Sequence, residues 1–114
     1  MSKSRSITVE GKPVARKEKL IVLLESDPSD PFLHYALAKE FLSEGDTDEG
    51  LRRLEEMNRE FPTYHAAHFE RGRALVELDR TAEAREVIVV GIEAARTEGD
   101  SHAVNEMTGF LEMI

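Results

Sequence analysis

The 114-residue sequence contains no cysteine and no tryptophan. Without a thiol, the chain has no disulfide framework, no thiolate nucleophile and no cysteine-ligated zinc. Long hydrophobic runs are also missing, since the longest apolar stretch is Leu20–Leu24. Such a stretch is far too short for a signal-peptide core or a membrane span. These absences predict a cytoplasmic protein that does not associate with a membrane.

Positive charge is scarce, with 15 Lys and Arg against 23 Asp and Glu and a formal net charge of -8. Such a chain repels phosphates over most of its surface, so we expect no nucleic-acid partner. The charge is uneven, because residues 1–19 hold six Lys and Arg against two Glu. We interpret residues 1–15 as a basic N-terminal arm without regular structure. An alternative is that this arm docks on an acidic partner or on the body of the protein.

The composition favours one all-α domain. Good helix formers dominate, and Val and Ile cluster only at 21–22 and 87–90, which leaves little material for a sheet. The length suits a single domain with a modest core.

The main signal is an internal repeat of 34 residues that holds without a gap across two units. Apolar positions fall on apolar positions, small residues on small residues, and a proline on a proline, which is the signature of a repeat architecture. The aligned pairs include His34 with His68, Ala38 with Gly72, Phe41 with Leu75, Leu54 with Ile88, and Pro28 with Pro62.

Each unit reads as two helices joined by a turn. In the first unit, Asp30 is an expected N-cap and Pro31 an expected first residue of a helix over 31–43. Gly45-Asp46 ends that helix, and Thr47 is the expected N-cap of the next. The second unit predicts helices over about 64–78 and 82–96, joined by a turn at Asp79-Arg80.

Four small residues, Ala38, Gly50, Gly72 and Ala84, occur at matching positions of the two units. We expect them to let the paired helices approach closely. A large side chain at any of the four would then force a helix pair apart.

These residues resemble the tetratricopeptide repeat family over roughly residues 16–114. The family pattern reads here as His34-x-x-Leu37-Ala38-x-x-Phe41, Gly50-x-x-x-Leu54 and Pro62, then as His68-x-x-Arg71-Gly72-x-x-Leu75 and Ala84-x-x-x-Ile88. The resemblance implies a right-handed superhelix of stacked helix-turn-helix repeats with about six helices.

The flanks complete the predicted organisation. Ser101 is the expected N-cap of a last helix that covers the open end of the stack. The predicted segments are an N-terminal arm (1–15), a half-repeat helix (16–30), two repeat units (31–64 and 65–98) and a C-terminal capping helix (99–114). The expected core comprises Leu24, Leu33, Leu37, Phe41, Leu54, Phe61, Leu75, Ile88, Ile92 and Leu111.

Arg71 departs from the family pattern, which prefers leucine at this position. A guanidinium there must reach water or find a carboxylate. We therefore expect Arg71 to be partly exposed or paired with a glutamate, and Arg71→Leu to be at least as stable as the parent.

The resemblance also implies a concave face lined by the first helix of each unit. Residues on that face would hold an extended or helical peptide, with Lys39 and Arg73 pairing a carboxylate. The alternative is that these side chains serve ordinary packing. The expected lining comprises Phe32, Tyr35, Lys39, Leu42, Phe69, Arg73 and Val76.

Catalytic and metal sites have little support. His65 and His68 are close enough on one helix to share a metal, but His34 and His68 occupy a packing position, which favours imidazoles in or beside the core. No nucleophile elbow, phosphate loop or zincin motif is present. We therefore predict a protein–protein interaction module, an adaptor or scaffold without enzymatic activity or cofactor. The alternative is a self-assembling homodimer whose groove is filled by another copy, aided by the apolar residues 110–114.

Overall fold

The computed structural model describes residues 8–9, 12–13 and 15–114. This part of the chain forms six helices and one short antiparallel strand pair, which confirms the predicted all-α repeat fold. The strands are β1 (Thr8–Val9) and β2 (Lys12–Pro13), and the helices are α1 (Arg16–Ser26), α2 (Pro31–Ser43), α3 (Thr47–Glu60), α4 (His65–Glu77), α5 (Thr81–Thr97) and α6 (Ser101–Met113).

The N-terminal segment differs from its prediction at four residues. Thr8 pairs with Pro13 and Val9 with Lys12, whereas the sequence predicted an arm without regular structure over 1–15. Residues 1–7, 10–11 and 14 of the predicted arm lie outside the described residues.

The six helices form a linear stack in which each packs against the next one in the chain. The tightest pairs are α2 with α3 and α4 with α5, which are the two predicted repeat units. Helix α1 packs on the first unit and α6 on the second. None of the six described helices has the length and hydropathy needed to span a bilayer.

The start of α2 follows the sequence prediction. The Asp30 carboxylate accepts a hydrogen bond from the Phe32 backbone N–H at 2.9 Å. Pro31 occupies the first turn, where its missing N–H costs nothing.

Two other predicted N-caps are wrong by one residue. Asp46 rather than Thr47 caps α3, and Asp100 rather than Ser101 caps α6. Each aspartate accepts the backbone N–H three residues later, at 3.4 and 3.0 Å. The glycine before each aspartate has a positive φ that reverses the chain, so the aspartate is already at the helix entry.

Three turns of the stack share one geometry, in which the reversing residue has a positive φ. These residues are Gly45 (86°), Asp79 (60°) and Gly99 (76°). In each turn the following N–H donates to a carbonyl five residues earlier at 2.9 Å. Asp79 therefore stands where the other two turns use glycine, and a non-glycine residue pays a steric penalty in that conformation.

Replacing Asp79 by glycine is expected to stabilise the protein by about 0.5–1 kcal/mol, because it removes this penalty. Urea denaturation of both proteins measures the difference. The matched control is Gly45→Asp, for which we expect a loss of similar size. Equal stability of Asp79→Gly and the parent would contradict the prediction.

Close approach within the helix pairs is confirmed at the two glycines. A Cβ on Gly50 would lie 2.5 Å from Leu42 Cδ2, and one on Gly72 would lie 2.4 Å from Ile88 Cδ1. Real Cβ atoms do not come this close to a carbon, so a side chain at either position would require a neighbouring group in its helix pair, α2–α3 or α4–α5, to shift.

The predicted core is correct for its centre, while its ends are only partly covered. Leu37, Leu54, Leu75, Ile88 and Ile92 are buried, whereas Leu24, Leu33, Phe41, Phe61 and Leu111 are half-buried. The remaining interior is filled by small and flexible residues, which suits close helix packing. Among these, Ala38, Ala67, Ala84, Ala95 and Met107 are fully buried.

Candidate partner-binding site

A pocket of about 480 Å³ lies between α2 and α4, the first helices of the two repeat units. It opens near the C-terminal ends of both helices and reaches the start of α3. The lining residues are Lys39, Leu42, Ser43, Thr47, Glu70, Arg73, Ala74 and Glu77.

Two cations at equivalent positions of the repeat face this pocket. Lys39 Nζ lies 5.3 Å from the centroid of the Tyr35 ring, and the Arg73 guanidinium carbon lies 4.5 Å from that of Phe69. Both are cation–π contacts between residues four apart on one helix, where side chains meet. The rings therefore hold both cations along the pocket wall.

The two cations differ in their pairing with carboxylates. Arg73 Nη2 donates to Glu70 Oε1 at 3.0 Å, which neutralises much of its charge. Lys39 makes no ion pair within residues 15–114, and neither does Glu77 on the same wall. The pocket thus presents one ammonium, of Lys39, and one carboxylate, of Glu77, that form no ion pair within residues 15–114.

Tyr35 and Phe69 serve packing more than the open groove that the sequence analysis assigned to them. Both are half-buried. The Tyr35 ring lies 5.5 Å from that of Tyr64, and Phe69 lies 5.6 Å from Phe110. Burial raises the pKa of the Tyr35 hydroxyl, so this side chain stays a neutral phenol near neutral pH.

The other three predicted groove residues, Leu42, Val76 and Phe32, differ in whether they line the pocket. Leu42 lines the pocket, while Val76 is half-buried against a neighbouring core cluster. Phe32 lies at the start of α2 with 56% of its surface exposed, away from the residues that line the pocket. Three of the seven predicted residues, Lys39, Leu42 and Arg73, are therefore brought together.

The sequence analysis missed the two carboxylates of the pocket. Glu70 and Glu77 lie three residues before and four residues after Arg73, a spacing that places all three on one helical face. That signal was readable in the sequence. It indicates that Arg73 has a counter-ion, Glu70, on its own helix.

The histidines at equivalent repeat positions have the same structural role. His34 Nε2 lies 2.7 Å from the Pro28 carbonyl oxygen, and His68 Nε2 lies 2.9 Å from that of Pro62. Because a carbonyl only accepts, each imidazole donates through Nε2. Each ring therefore fixes the connection that precedes its helix.

His65 has a different partner from its neighbour His68. Its Nε2 lies 3.3 Å from Asp100 Oδ2, so it links the start of α4 to the start of α6. Across residues 15–114, no three His, Asp or Glu side chains come together in a way that could hold a metal ion.

Acid is expected to destabilise the fold through His68, which is 3% exposed. Burial lowers its pKa below the ordinary value of 6.5. The unfolded state then binds more protons below pH 6.5, so stability is complete above that pH and falls as the pH drops toward the folded-state pKa. The expected slope is at most about 1.4 kcal/mol per pH unit.

Urea denaturation at about pH 7.5 and about pH 5.5 measures this effect. The control is His68→Gln, whose amide can still donate to the Pro62 carbonyl but does not titrate. A parent protein whose pH dependence matches that of His68→Gln would contradict the assignment.

Arg71 is paired with glutamates, as predicted, and has a further partner that the sequence did not reveal. Its guanidinium lies 3.8 Å from Glu55 and 3.7 Å from Glu83. It also donates from Nη1 to Asn58 Oδ1 at 3.0 Å. The side chain is only 17% exposed, so it belongs to the polar interior between α3, α4 and α5.

Comparison with known proteins agrees with this architecture. The tetratricopeptide repeat family matches residues 41–104. A TPR repeat-containing protein of Pseudomonas aeruginosa is 30% identical over 97 residues, which cover 85% of this chain and 92% of that protein. The chain therefore belongs to the tetratricopeptide repeat family.

Solved structures show the same arrangement. A tetratricopeptide repeat domain protein from Salinibacter ruber has a TM-score of 0.73 and 34% identity, covering 76% of this chain and 88% of that one. A protein from Bordetella parapertussis has a TM-score of 0.74 and 28% identity, covering 88% and 87%. Repeats of this family generally mediate contacts between proteins and are typically not enzymes.

Proposed function

We propose that this protein is an adaptor that binds a segment of a partner protein in the pocket between α2 and α4. The observation that carries this proposal is the pairing state of the pocket cations: Lys39 faces the pocket without a counter-ion among residues 15–114, while Arg73 is held by Glu70. Lys39 then binds a carboxylate of the partner, and Leu42 and Ala74 supply the apolar floor.

The remaining predicted groove residues have supporting roles in this proposal. Tyr35 and Phe69 hold the two cations in place, as their cation–π distances indicate. Phe32 offers an exposed ring at the far end of α2, where a longer partner segment would bury it. Val76 packs against the core cluster that contains the pocket residue Ala74. We propose a role as a scaffold in the cytoplasm, without a cofactor and without enzymatic activity of its own.

Reversing the charge of the pocket is expected to abolish partner binding. The test is affinity capture from native lysate with the intact chain and with Lys39→Glu plus Arg73→Glu. The matched control carries the same charge change on outer surfaces, Lys19→Glu plus Arg96→Glu, and should capture as the parent does. Loss of the Lys39 contact lowers affinity by about 2–5 kcal/mol when the partner's carboxylate is left buried and unpaired.

A variant that lacks residues 1–15 tests whether the partner binds to the N-terminal arm rather than to the pocket. If capture survives charge reversal in the pocket but is lost on deletion of the arm, the proposal is wrong and the arm is the binding element. Equal loss in the pocket variant and in its matched control would point to nonspecific charge effects.

Self-assembly is the second candidate, and exposed apolar residues at the ends of the stack favour it. Ile21, Val22 and Leu23 on α1 are 39–49% exposed, and Met113 is 80% exposed. The rest of the C-terminal apolar stretch, over 110–112 and Ile114, supports it less, because its apolar side chains are half-buried. Sedimentation at several concentrations decides, since a monomer at millimolar concentration excludes a homodimer.

A further inference from the structure

The pocket between α2 and α4 contains a carboxylate to which the proposed function gives no role. Glu77 lines the pocket, is exposed to solvent and forms no ion pair within residues 15–114. It follows Arg73 by four residues, but Arg73 pairs instead with Glu70, at 3.0 Å. Beyond that pair, Lys39 and Glu77 are the two charged residues that remain in the lining, one of each sign.

Glu77 stands at an unfavourable position for a carboxylate. It is the last residue of α4, and the C-terminal end of a helix carries partial negative charge, which repels an anion. The second helix of each unit follows the usual preference, because Arg59 and Arg96 lie in the last turns of α3 and α5. The last turns of α2 and α4 contain no basic residue. The Glu77 carboxylate therefore adds to the negative charge of its helix end.

The C-terminal ends of α2 and α4 both border the pocket. Ser43 and Glu77 are the last residues of these helices, occupy equivalent positions of the repeat and line the pocket. A cation bound at this end is attracted by two helix ends and by the Glu77 carboxylate. Lys39 lies about one helical turn before Ser43. The pocket thus has a positive charge one turn inside and a negative charge at the helix ends.

We propose that Glu77, together with the C-terminal ends of α2 and α4, binds a basic side chain of the partner. The proposal rests on the proposed function, in which Lys39 binds a carboxylate of the same partner segment. The pocket then selects a segment that carries one acidic and one basic residue a few positions apart. A segment with charges of a single sign would place a like charge beside Lys39 or beside Glu77, and such contacts act against the wrong partners.

The test uses three capped, alanine-based peptides with the full chain. The first carries one glutamate and one lysine four residues apart, which can separate the two by at most about 14 Å. In the second, glutamine replaces the lysine, and in the third, glutamine replaces the glutamate. Nitrogen-15 NMR titration measures each Kd from saturable shifts of the residues that line the pocket. We expect the first peptide to bind about two- to five-fold more tightly than the others, a factor typical of one exposed ion pair.

Single variants assign each charge of the peptide to a residue of the pocket. In Glu77→Gln, loss of the peptide lysine should no longer weaken binding, whereas loss of the peptide glutamate still should. Lys39→Gln should show the opposite pattern. Lys19→Gln and Glu106→Gln are the matched controls, because both residues are exposed, lie outside the pocket and form no ion pair within residues 15–114. Both controls should bind all three peptides as the parent does.

Stability gives a second readout for Glu77→Gln. This variant should unfold at the same urea concentration as the parent or a higher one, because it removes a carboxylate from a helix C-terminus. A loss of stability would overturn the proposal, since it would assign the carboxylate to the fold.

The binding outcomes separate this proposal from the proposed function. If the peptide lysine has no effect in the parent, or the same effect in Glu77→Gln, the role of Glu77 is wrong while that of Lys39 is retained. If the peptide glutamate has no effect either, or the shifts lie outside the pocket, both proposals are wrong. Shifts of the pocket residues that grow with protein concentration in the absence of peptide would assign the pocket to a second copy of the chain and overturn the proposal.

Discussion

A single methyl group at Gly72 is expected to lower the free energy of unfolding by about 1–3 kcal/mol, the usual cost of overpacking a tight core. In Gly72→Ala, the new Cβ would lie 2.4 Å from Ile88 Cδ1 and 2.6 Å from Cγ1. Ile88 has no exposed surface, so its side chain can move only by displacing the core residues around it. We therefore expect the α4–α5 pair to separate, although alanine is the better helix former.

Gly109→Ala is the matched control, because it makes the same change in an open position. A Cβ at Gly109 in α6 would meet nothing within 4 Å. The control should gain about 0.5–1 kcal/mol from helix propensity alone. Urea denaturation of the two variants and the parent measures both effects. If Gly72→Ala were as stable as Gly109→Ala, the close approach of α4 and α5 would not contribute to stability.

The helix boundaries were predictable because their signals are local. Proline at the first turn of α2 and the glycines at positions 45 and 99 act on their own backbone, without help from distant residues. The sequence predicted Thr47 and Ser101 as N-caps, one residue too late. Aspartate, serine and threonine are all good N-caps, so residue type alone does not decide between each of them and the aspartate before it. Comparison of the repeats would have resolved them, since Gly-Asp occurs at both turns.

The roles of the aromatic residues could not be read from the repeat. Tyr35 and Phe69 occupy equivalent positions, and the helical period places both on the first helix of a unit. Whether such a ring faces a groove depends on a residue far along the chain. Here Tyr35 packs against Tyr64, and Phe69 packs against Phe110. No local sequence pattern predicts these pairs.

The charges of the pocket were predictable in part. Lys39 and Arg73 were identified by their shared position in the repeat. Their different pairing follows from what stands three residues earlier: Glu70 precedes Arg73, whereas Ala36 precedes Lys39. The repeat pattern alone does not distinguish Lys39 from Arg73, because the available charge depends on a position at which the two units differ.

Arg71 is the residue at which the structure reverses an expectation about stability. The family pattern suggested that Arg71→Leu would be at least as stable as the parent. The hydrogen bond from Arg71 to Asn58 Oδ1 changes this, because the leucine would leave that oxygen without its donor, beside a buried Nδ2 that already has no partner among the described residues. We now expect Arg71→Leu to lose about 1–3 kcal/mol, the usual cost of a buried unpaired polar group.

A double-mutant cycle with Asn58→Leu separates this cause from simple loss of the ion pairs. Glu55 and Glu83 are about half exposed, at 53% and 40%, so water solvates both once the arginine is gone, and their contribution is small. If the polar pair at Asn58 and Arg71 is the cause, Arg71→Leu in the Asn58→Leu background should cost at least about 1 kcal/mol less than in the parent. Equal costs in the two backgrounds would show that Arg71 stabilises the stack through its glutamates or its alkyl stem instead.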